Sequence, residues 1–299
     1  MIDKLELLLA LAKARHFGKA AEAAGVSQPT LSSAVKSLED QFGVMIVERG
    51  SRFQGFTPEG ERVLDWARRL VGDQRTMRQE IEALRRGIGG HLRIGVIPTA
   101  LPFVTTLTVP YRAKHASVRV SVVSRTSADI LAGMRNFELD LGISYIDNEP
   151  VGTFRTMSLY EERYALMVSP KSKLAKRASI TWKEAGALPL CLLTPDMQNR
   201  RLIDRHLAEA GIEAKPTLDS NSMLLLYTHV LTGEWVSIIP SRLVEALDHP
   251  GGLVSIPLVE PSVTHKIGLI FPDRDPHTPV VTAFLELARA LHHRAPKSN

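Results

Sequence analysis

The sequence predicts an α+β chain of more than one domain: a small helical head, one long helix, and a larger region of alternating strands and helices. Three observations carry this. Residues 2–43 show helical apolar spacing interrupted by glycines, residues 58–86 hold an unbroken heptad, and beyond Gly90 short apolar runs alternate with amphipathic segments. A length of 299 residues suits roughly two domains.

Composition narrows the function classes. A 44% hydrophobic content is that of a globular chain, and no run of 18 apolar residues exists to span a membrane. The start, Met1-Ile2-Asp3-Lys4-Leu5-Glu6, carries acids where an export signal needs a basic start and an apolar core. The single cysteine, Cys191, excludes an internal disulfide framework, and a cytoplasmic location is expected. Formal charge is +5, yet residues 1–90 hold 14 basic and 12 acidic side chains, so bulk charge does not argue for nucleic acid.

The head begins with a helix over 2–14, marked by Leu5, Leu8, Leu9 and Ala12. Phe17-Gly18 ends it, Lys19–Ala24 forms a short alanine-rich helix, and Gly25 turns the chain. A third helix follows, capped by Ser27, with Pro29 in its first turn and Gly43 as its stop. Leu31, Val35, Leu38 and Phe42 share its apolar face. Its outward face carries Gln28, Pro29, Thr30, Ser32, Ser33 and Lys36. Glutamine can pair bidentately with adenine, hydroxyls are adaptable, and lysine reaches guanine or phosphate. The order is that of a helix-turn-helix. Val44–Val47 and Phe53–Phe56 are β-prone and predict a two-stranded wing, with Arg49 and Arg52 at its tip for DNA phosphates or the minor groove.

Thr57 caps the long helix, which spans roughly 43 Å. Its stripe Val63, Ala67, Leu70, Gln74, Met77, Ile81 and Leu84 steps by 4 and 3, a heptad seam that predicts pairing with its own copy. Two paired heads would meet two DNA half-sites.

Beyond the glycine-rich break at 87–90, strands are expected at 91–97, 118–123, 139–143, 188–193, 217–219, 235–239 and 266–271. Helices are expected at 101–115, 128–136, 199–210, 222–231 and 279–293. This alternation predicts parallel sheets with right-handed crossovers in two lobes. Ligands of such sheets sit beyond the carboxyl ends of strands, at helix starts. The qualifying loops supply Pro98, Thr99, Ala100, Thr126, Ser127, Gln198, Asn199 and Asn221, a donor set suited to a small carboxylate or inorganic oxyanion. Each hydroxyl has a plain helix cap as its ordinary role, and Arg200 and Arg201 read as a solvated helix face. No phosphate loop, metal-ligand pair or Gly-x-Ser-x-Gly elbow occurs, and Cys191 falls in an apolar strand. No catalytic residue, metal or cofactor is therefore assigned. An enzyme and a pure solute carrier remain the rival readings.

Phe17-Gly18-Lys19-Ala20-Ala21-Glu22, Val26–Ser32, Leu38-Glu39, Phe42-Gly43, Glu48-Arg49 and Phe56-Thr57-Pro58-Glu59-Gly60 together resemble the LysR-type transcriptional regulators. Ser33, where many relatives carry arginine, and Ile46-Val47, in place of Leu-Phe, depart from that pattern. The resemblance implies a winged helix-turn-helix over 1–60, a dimerising linker helix over 58–87, a hinge at 88–90 and an effector-binding domain over 91–299. It implies that this domain has a two-lobed periplasmic-binding-protein-like (type 2) fold. Lobe 1 would be about 91–161 plus 267–299 and lobe 2 about 162–266, with an effector between them. It also implies promoter double-stranded DNA as partner, a homodimer assembling into a homotetramer, and RNA polymerase as a further contact, with no membrane.

Overall fold

Four helices build the N-terminal region of the computed structural model, which describes residues 1–48, 50, 53–246 and 252–294. They are α1 (Ile2–Ala14), α2 (Phe17–Ala23), α3 (Gln28–Phe42) and α4 (Pro58–Arg86). Each starts or stops where local chemistry dictates. His16 caps α2 by accepting from Lys19 N at 3.2 Å. Gly25 turns at φ +67°, Ser27 caps α3, and Gly43 closes it at φ +67°. Leu5, Leu8 and Leu11 of α1, Leu31, Val35 and Leu38 of α3, and Leu64, Ala67 and Val71 of α4 meet in one core. Each fully buried leucine contributes roughly 1.5–3 kcal/mol.

Three expectations for the head are corrected. Phe42 is exposed at 43%, because α3 turns its last residue past the core and Ala34 is buried instead. The wing is not a pair of strands among the described residues: Val47 and Phe56 form an isolated bridge. Glu39 holds this stem, its Oε1 accepting from Ile46 N (2.8 Å) and Val47 N (3.1 Å). Arg49 and Arg52 lie outside the described residues. In the seam, Ala67 is taken by its own chain's core, since α4 lies against α1 on the Leu64–Ala67–Val71 side. Val63 and Gln74 are half-buried, while Leu70, Met77, Ile81 and Leu84 are exposed.

By contact the chain divides into a unit of Met1–Ile88, with Arg135–Glu138 and Pro276–Pro279, and a second unit from Gly89 onward. The second unit is built on one large sheet. Its strands are β1 (Gly90–Val96), β2 (Val118–Ser124), β3 (Leu141–Tyr145), β4 (Phe154–Val168), β5 (Ile180–Thr181), β8 (Ser237–Pro240), β9 (Val254–Val259) and β10 (Thr264–Pro272). The order is β2-β1-β3-β10-β4-β9-β5, with β8 also on β4. A separate pair, β6 (Cys191–Leu193) and β7 (Leu218–Ser220), runs parallel. Helices α5 (Leu101–Lys114), α6 (Ser127–Arg135), α7 (Trp182–Gly186), α8 (Gln198–Glu209), α9 (Met223–Thr232), α10 (Ser241–Ala246) and α11 (Pro279–Arg294) complete it.

The expectation of parallel sheets holds only for β1 with β2 and β3, β6 with β7, and β5 with β9. β10 is antiparallel to both β3 and β4, and β4 is antiparallel to β8 and β9. Fifteen residues of β4 serve two neighbourhoods: its first part pairs with β10 and its end with β8 and β9. One strand threading two α/β layers makes a two-lobed body with a crossing between the lobes.

Candidate functional site

The helix-turn-helix presents a polar ridge. Ser27, Gln28, Pro29, Thr30, Ser32, Ser33 and Lys36 are all exposed, and Leu31, Ala34, Val35 and Leu38 between them are buried. The 3.6-residue period alone produces this separation. Ser27 Oγ accepts from Thr30 N at 3.3 Å and lies 2.8 Å from Thr30 Oγ1, so these hydroxyls organise the helix tip. Gln28, Ser32, Ser33 and Lys36 stay exposed, with no hydrogen bond from the protein to their side chains among the described residues. A groove of about 800 Å³, lined by Ser32, Lys36, Glu39, Met45, Glu48 and Gly50, runs beside this face. Gln28→Ala should cost about 1–3 kcal/mol of discrimination between operator and mismatched DNA. Lys36→Ala should weaken all sequences alike and lower the salt slope by about one. Titrations at two salt concentrations separate the two outcomes.

Along α4 the exposed apolar residues continue into a second groove, of about 470 Å³, lined by Met1, Leu5, Phe42, Val63, Trp66 and Leu70. Trp66, absent from the heptad reading, is 58% exposed there. Its signal was available: a tryptophan beside a heptad stripe on a helix too long for its own head.

In the second unit, seven of the eight residues expected to line an effector site are buried. Pro98, Thr99 and Ala100 form a turn of 3-10 helix after β1, Thr126 and Ser127 follow β2, and Gln198 and Asn199 open α8. Asn221 is the exception; it is exposed ahead of Ser222, the α9 cap, and does not join the group. Thr126 Oγ1 accepts from Asp129 N at 3.1 Å, a plain cap of the expected kind. Thr99 Oγ1 and Gln198 Nε2 are buried without a protein partner, and burying an unpaired polar atom costs about 1–3 kcal/mol. No side chain caps α8.

The two sides of the cleft are joined by residues the loop reading missed. Ser144 Oγ, on β3, donates to Gln198 Oε1 at 3.3 Å, and Asn199 Nδ2 donates to Tyr145 Oη at 3.0 Å. Strand-end reasoning applied to β1 and β2 could have been extended to β3, which would have found Ser144. The arginines are a correction. Arg200 is buried, donating to Leu193 O and to Asp204 at 2.8 Å each. Arg201 forks onto Glu149 at 2.8 Å and also reaches Ser127 Oγ at 3.4 Å. A fully solvated face holds for neither: Arg200 is buried, and Arg201 is half-buried against the loop before α8 and Glu149 after β3.

Residues 2–61 match the bacterial regulatory helix-turn-helix proteins of the lysR family, and residues 85–292 match the LysR substrate binding domain. The chain belongs to the LysR family. Among similar proteins, a hydrogen peroxide-inducible genes activator of Escherichia coli O157:H7 is 28% identical, covering 98% of this chain and 95% of the relative. A probable nitrogen assimilation transcriptional activator of Synechococcus elongatus is 28% identical, covering 96% of this chain and 94% of the relative. A full-length OxyR variant from Pseudomonas aeruginosa has the same fold, with a TM-score of 0.74 at 23% identity, covering 100% of this chain and 98% of that one. This LysR-family chain is thus a DNA-binding transcriptional regulator with a two-lobed effector-binding domain, and its relatives are regulators rather than enzymes. No helix among the described residues is long and apolar enough to cross a membrane.

Proposed function

We propose that this regulator acts in the cytoplasm, reads promoter DNA through α3, and answers to a small anion held where α8 meets the carboxyl ends of β1, β2 and β3. The observation that carries the ligand is the pair of buried, unpartnered groups, Thr99 Oγ1 and Gln198 Nε2, beside a helix start with no side-chain cap. Free N–H groups and the helix dipole favour negative charge there. Arg201 is already matched by Glu149, so a carboxylate or oxyanion of low charge fits better than a polyanion.

Peroxide sensing, which the names of some relatives suggest, finds less support. Thiol chemistry needs the thiolate. Cys191 is the sole cysteine, lies fully buried on β6, and burial pushes its thiol up to about 11.

Self-association through α4 joins two reading heads. A dimer of dimers has further support in exposed Val109 and Val122 on α5 and β2, and in Leu224, Leu225 and Leu231 on α9. RNA polymerase is the remaining partner in this reading. The test is a thermal-shift screen of the full chain against small carboxylates and oxyanions, since a ligand bound only by the folded state raises Tm by mass action. Thr99→Val should abolish the shift given by a hit while leaving DNA affinity within about twofold. A flat screen on folded protein, or an undiminished shift in the variant, defeats the anion assignment.

A further inference from the structure

Behind the effector cleft, where β4 and β10 cross between the lobes, lies a cluster of titratable side chains that effector binding does not use. Glu162 on β4 is 1% exposed. Its Oε1 accepts from Tyr145 Oη of β3, and its Oε2 is buried with no partner. Tyr145 Oη lies 3.3 Å from Tyr164 Oη, and Asn199 Nδ2 of α8 donates to both, at 3.0 and 3.4 Å. Two turns further along the same face, His206 Nε2 of α8 lies 2.9 Å from His265 Nε2 of β10, with Glu209 on the far nitrogen of His206 and Asn148 on that of His265. Trp182 seals the group, its ring 5.1 Å from His206 and 5.7 Å from Tyr164.

Asn199 and His206 stand seven residues apart, so both project from the same side of α8. That side rests on the crossing strands, while Gln198 at the same helix start faces the effector cleft through Ser144. The seat of α8 is therefore polar and linked through Tyr145 to a buried acid. No ion pair among the described residues involves Glu162. The charged groups facing it are Arg242 of α10, whose guanidinium lies over the Tyr160 ring at 4.7 Å, and Asp147 after β3. Their effects oppose: Arg242 favours the carboxylate and Asp147 disfavours it.

We propose that Glu162 is a proton-binding latch: as the neutral acid it lets α8 seat on the crossing strands, and as the carboxylate it drives α8 off them. A carboxylate with one buried, unpartnered oxygen loses its hydration there without replacement, and the way to recover it is to let water in. This goes beyond the anion reading and does not depend on it, because the ligand is a proton.

The sign follows from linkage. Burial, the largest cause, pushes the Glu162 carboxyl up to about 8 from an ordinary value of 4.5. The seated state thus holds the proton more tightly than an open, solvated one. Seating is strongest below about pH 4.5, weakens as pH rises toward about 8, and is flat above. The same burial raises the Tyr145 and Tyr164 hydroxyls well above their usual range, so these stay donors throughout, and it lowers His265.

The experiment compares hydrogen exchange of the 198–209 segment in full-length protein and E162Q, an isostere that stays neutral, at the same pH. At pH 5 the two should match. At pH 9 the wild type should exchange about tenfold faster or more, the equivalent of one unit of linked pKa. A ratio unchanged between pH 5 and pH 9 overturns the proposal. Infrared spectroscopy of the wild type gives a second reading independent of whether E162Q folds. A protonated carboxyl band should persist at pH 6 and vanish by pH 9.5, and Tyr145→Phe, which removes the hydrogen bond favouring the carboxylate, should move that loss to higher pH. Absence of the band at pH 6, or a midpoint that Tyr145→Phe leaves in place, rules the latch out.

Discussion

Met77→Glu combined with Ile81→Glu should leave the chain folded and remove the self-association proposed for α4. Both side chains are 53% exposed in the single chain, where they support no core, and glutamate is a good helix former. Each substitution should therefore change intrinsic stability by no more than about 0.5 kcal/mol. In a paired seam the same positions face their own copies, and four carboxylates would be buried together in a dimer. Burial of unpaired charge costs several kcal/mol per group, enough to dissociate the helices. DNA affinity should then fall by roughly 10²-fold or more, because the second head no longer binds at the high effective concentration that linkage provides. Sedimentation and a DNA titration on the same sample check this. A variant that still sediments as wild type would show that the exposed stripe on α4 is not the self-contact.

Gly60→Ala should unfold the head under conditions where the wild type is stable, against what helix propensity implies. Alanine is intrinsically better than glycine inside a helix by about 1 kcal/mol. Here a Cβ on Gly60 would stand 2.0 Å from Ile46 O and 2.9 Å from its carbonyl carbon. The obstacle is backbone, so no side chain can swing aside. Glu39 pins the Ile46 amide, and Ile46 O accepts from Thr57 N at 3.0 Å, which fixes the carbonyl from both directions. The first turn of α4 must lift away, and Thr57 and the Leu64 side of the core go with it. The cost should be about 3 kcal/mol or more, the upper end of overpacking. For a domain of this size that lowers Tm by roughly 10 °C or more. Thermal unfolding followed by circular dichroism measures it, with loss of DNA binding alongside. A Tm equal to or above wild type would mean that propensity wins and the close approach is not rigid.

Much of the DNA-reading head was legible because its signals are local. Ser27, Gly43 and Thr57 mark helix ends by chemistry that acts within three or four residues, and the period of Leu31, Val35 and Leu38 assigns the outward face by subtraction. Most spans of the second unit were legible for the same reason, but β4, β5, β9, α7 and α10 were not among those expected from the alternation. The wing stem was not, because Val44–Val47 and Phe53–Phe56 have strand-like composition but are held by Glu39 and a single bridge. Arg200 misled in the opposite direction: two adjacent arginines read as solvent-facing on any helix, and only its bonds to Leu193 O and Asp204 turn it inward, while Arg201 stays half-exposed against Glu149.

Sequence by itself determined the boundaries of α1 to α4, the polar face of α3, the apolar stripe of α4 and the family, since each is written in residues within a few turns of one another. Tertiary structure alone decided the rest. Gly60 matters because Ile46 O stands against it, and a contact between backbones leaves no trace in side-chain pattern. Tyr145, Glu162, Asn199 and His265 come from four separate elements, joined because β10 pairs antiparallel with the first part of β4, the strand that runs on to β8 and β9. Periodicity reports which face of an element is buried. It carries no information about which distant residue it is buried against, so the effector cleft and the buried acid behind it exist only in the fold.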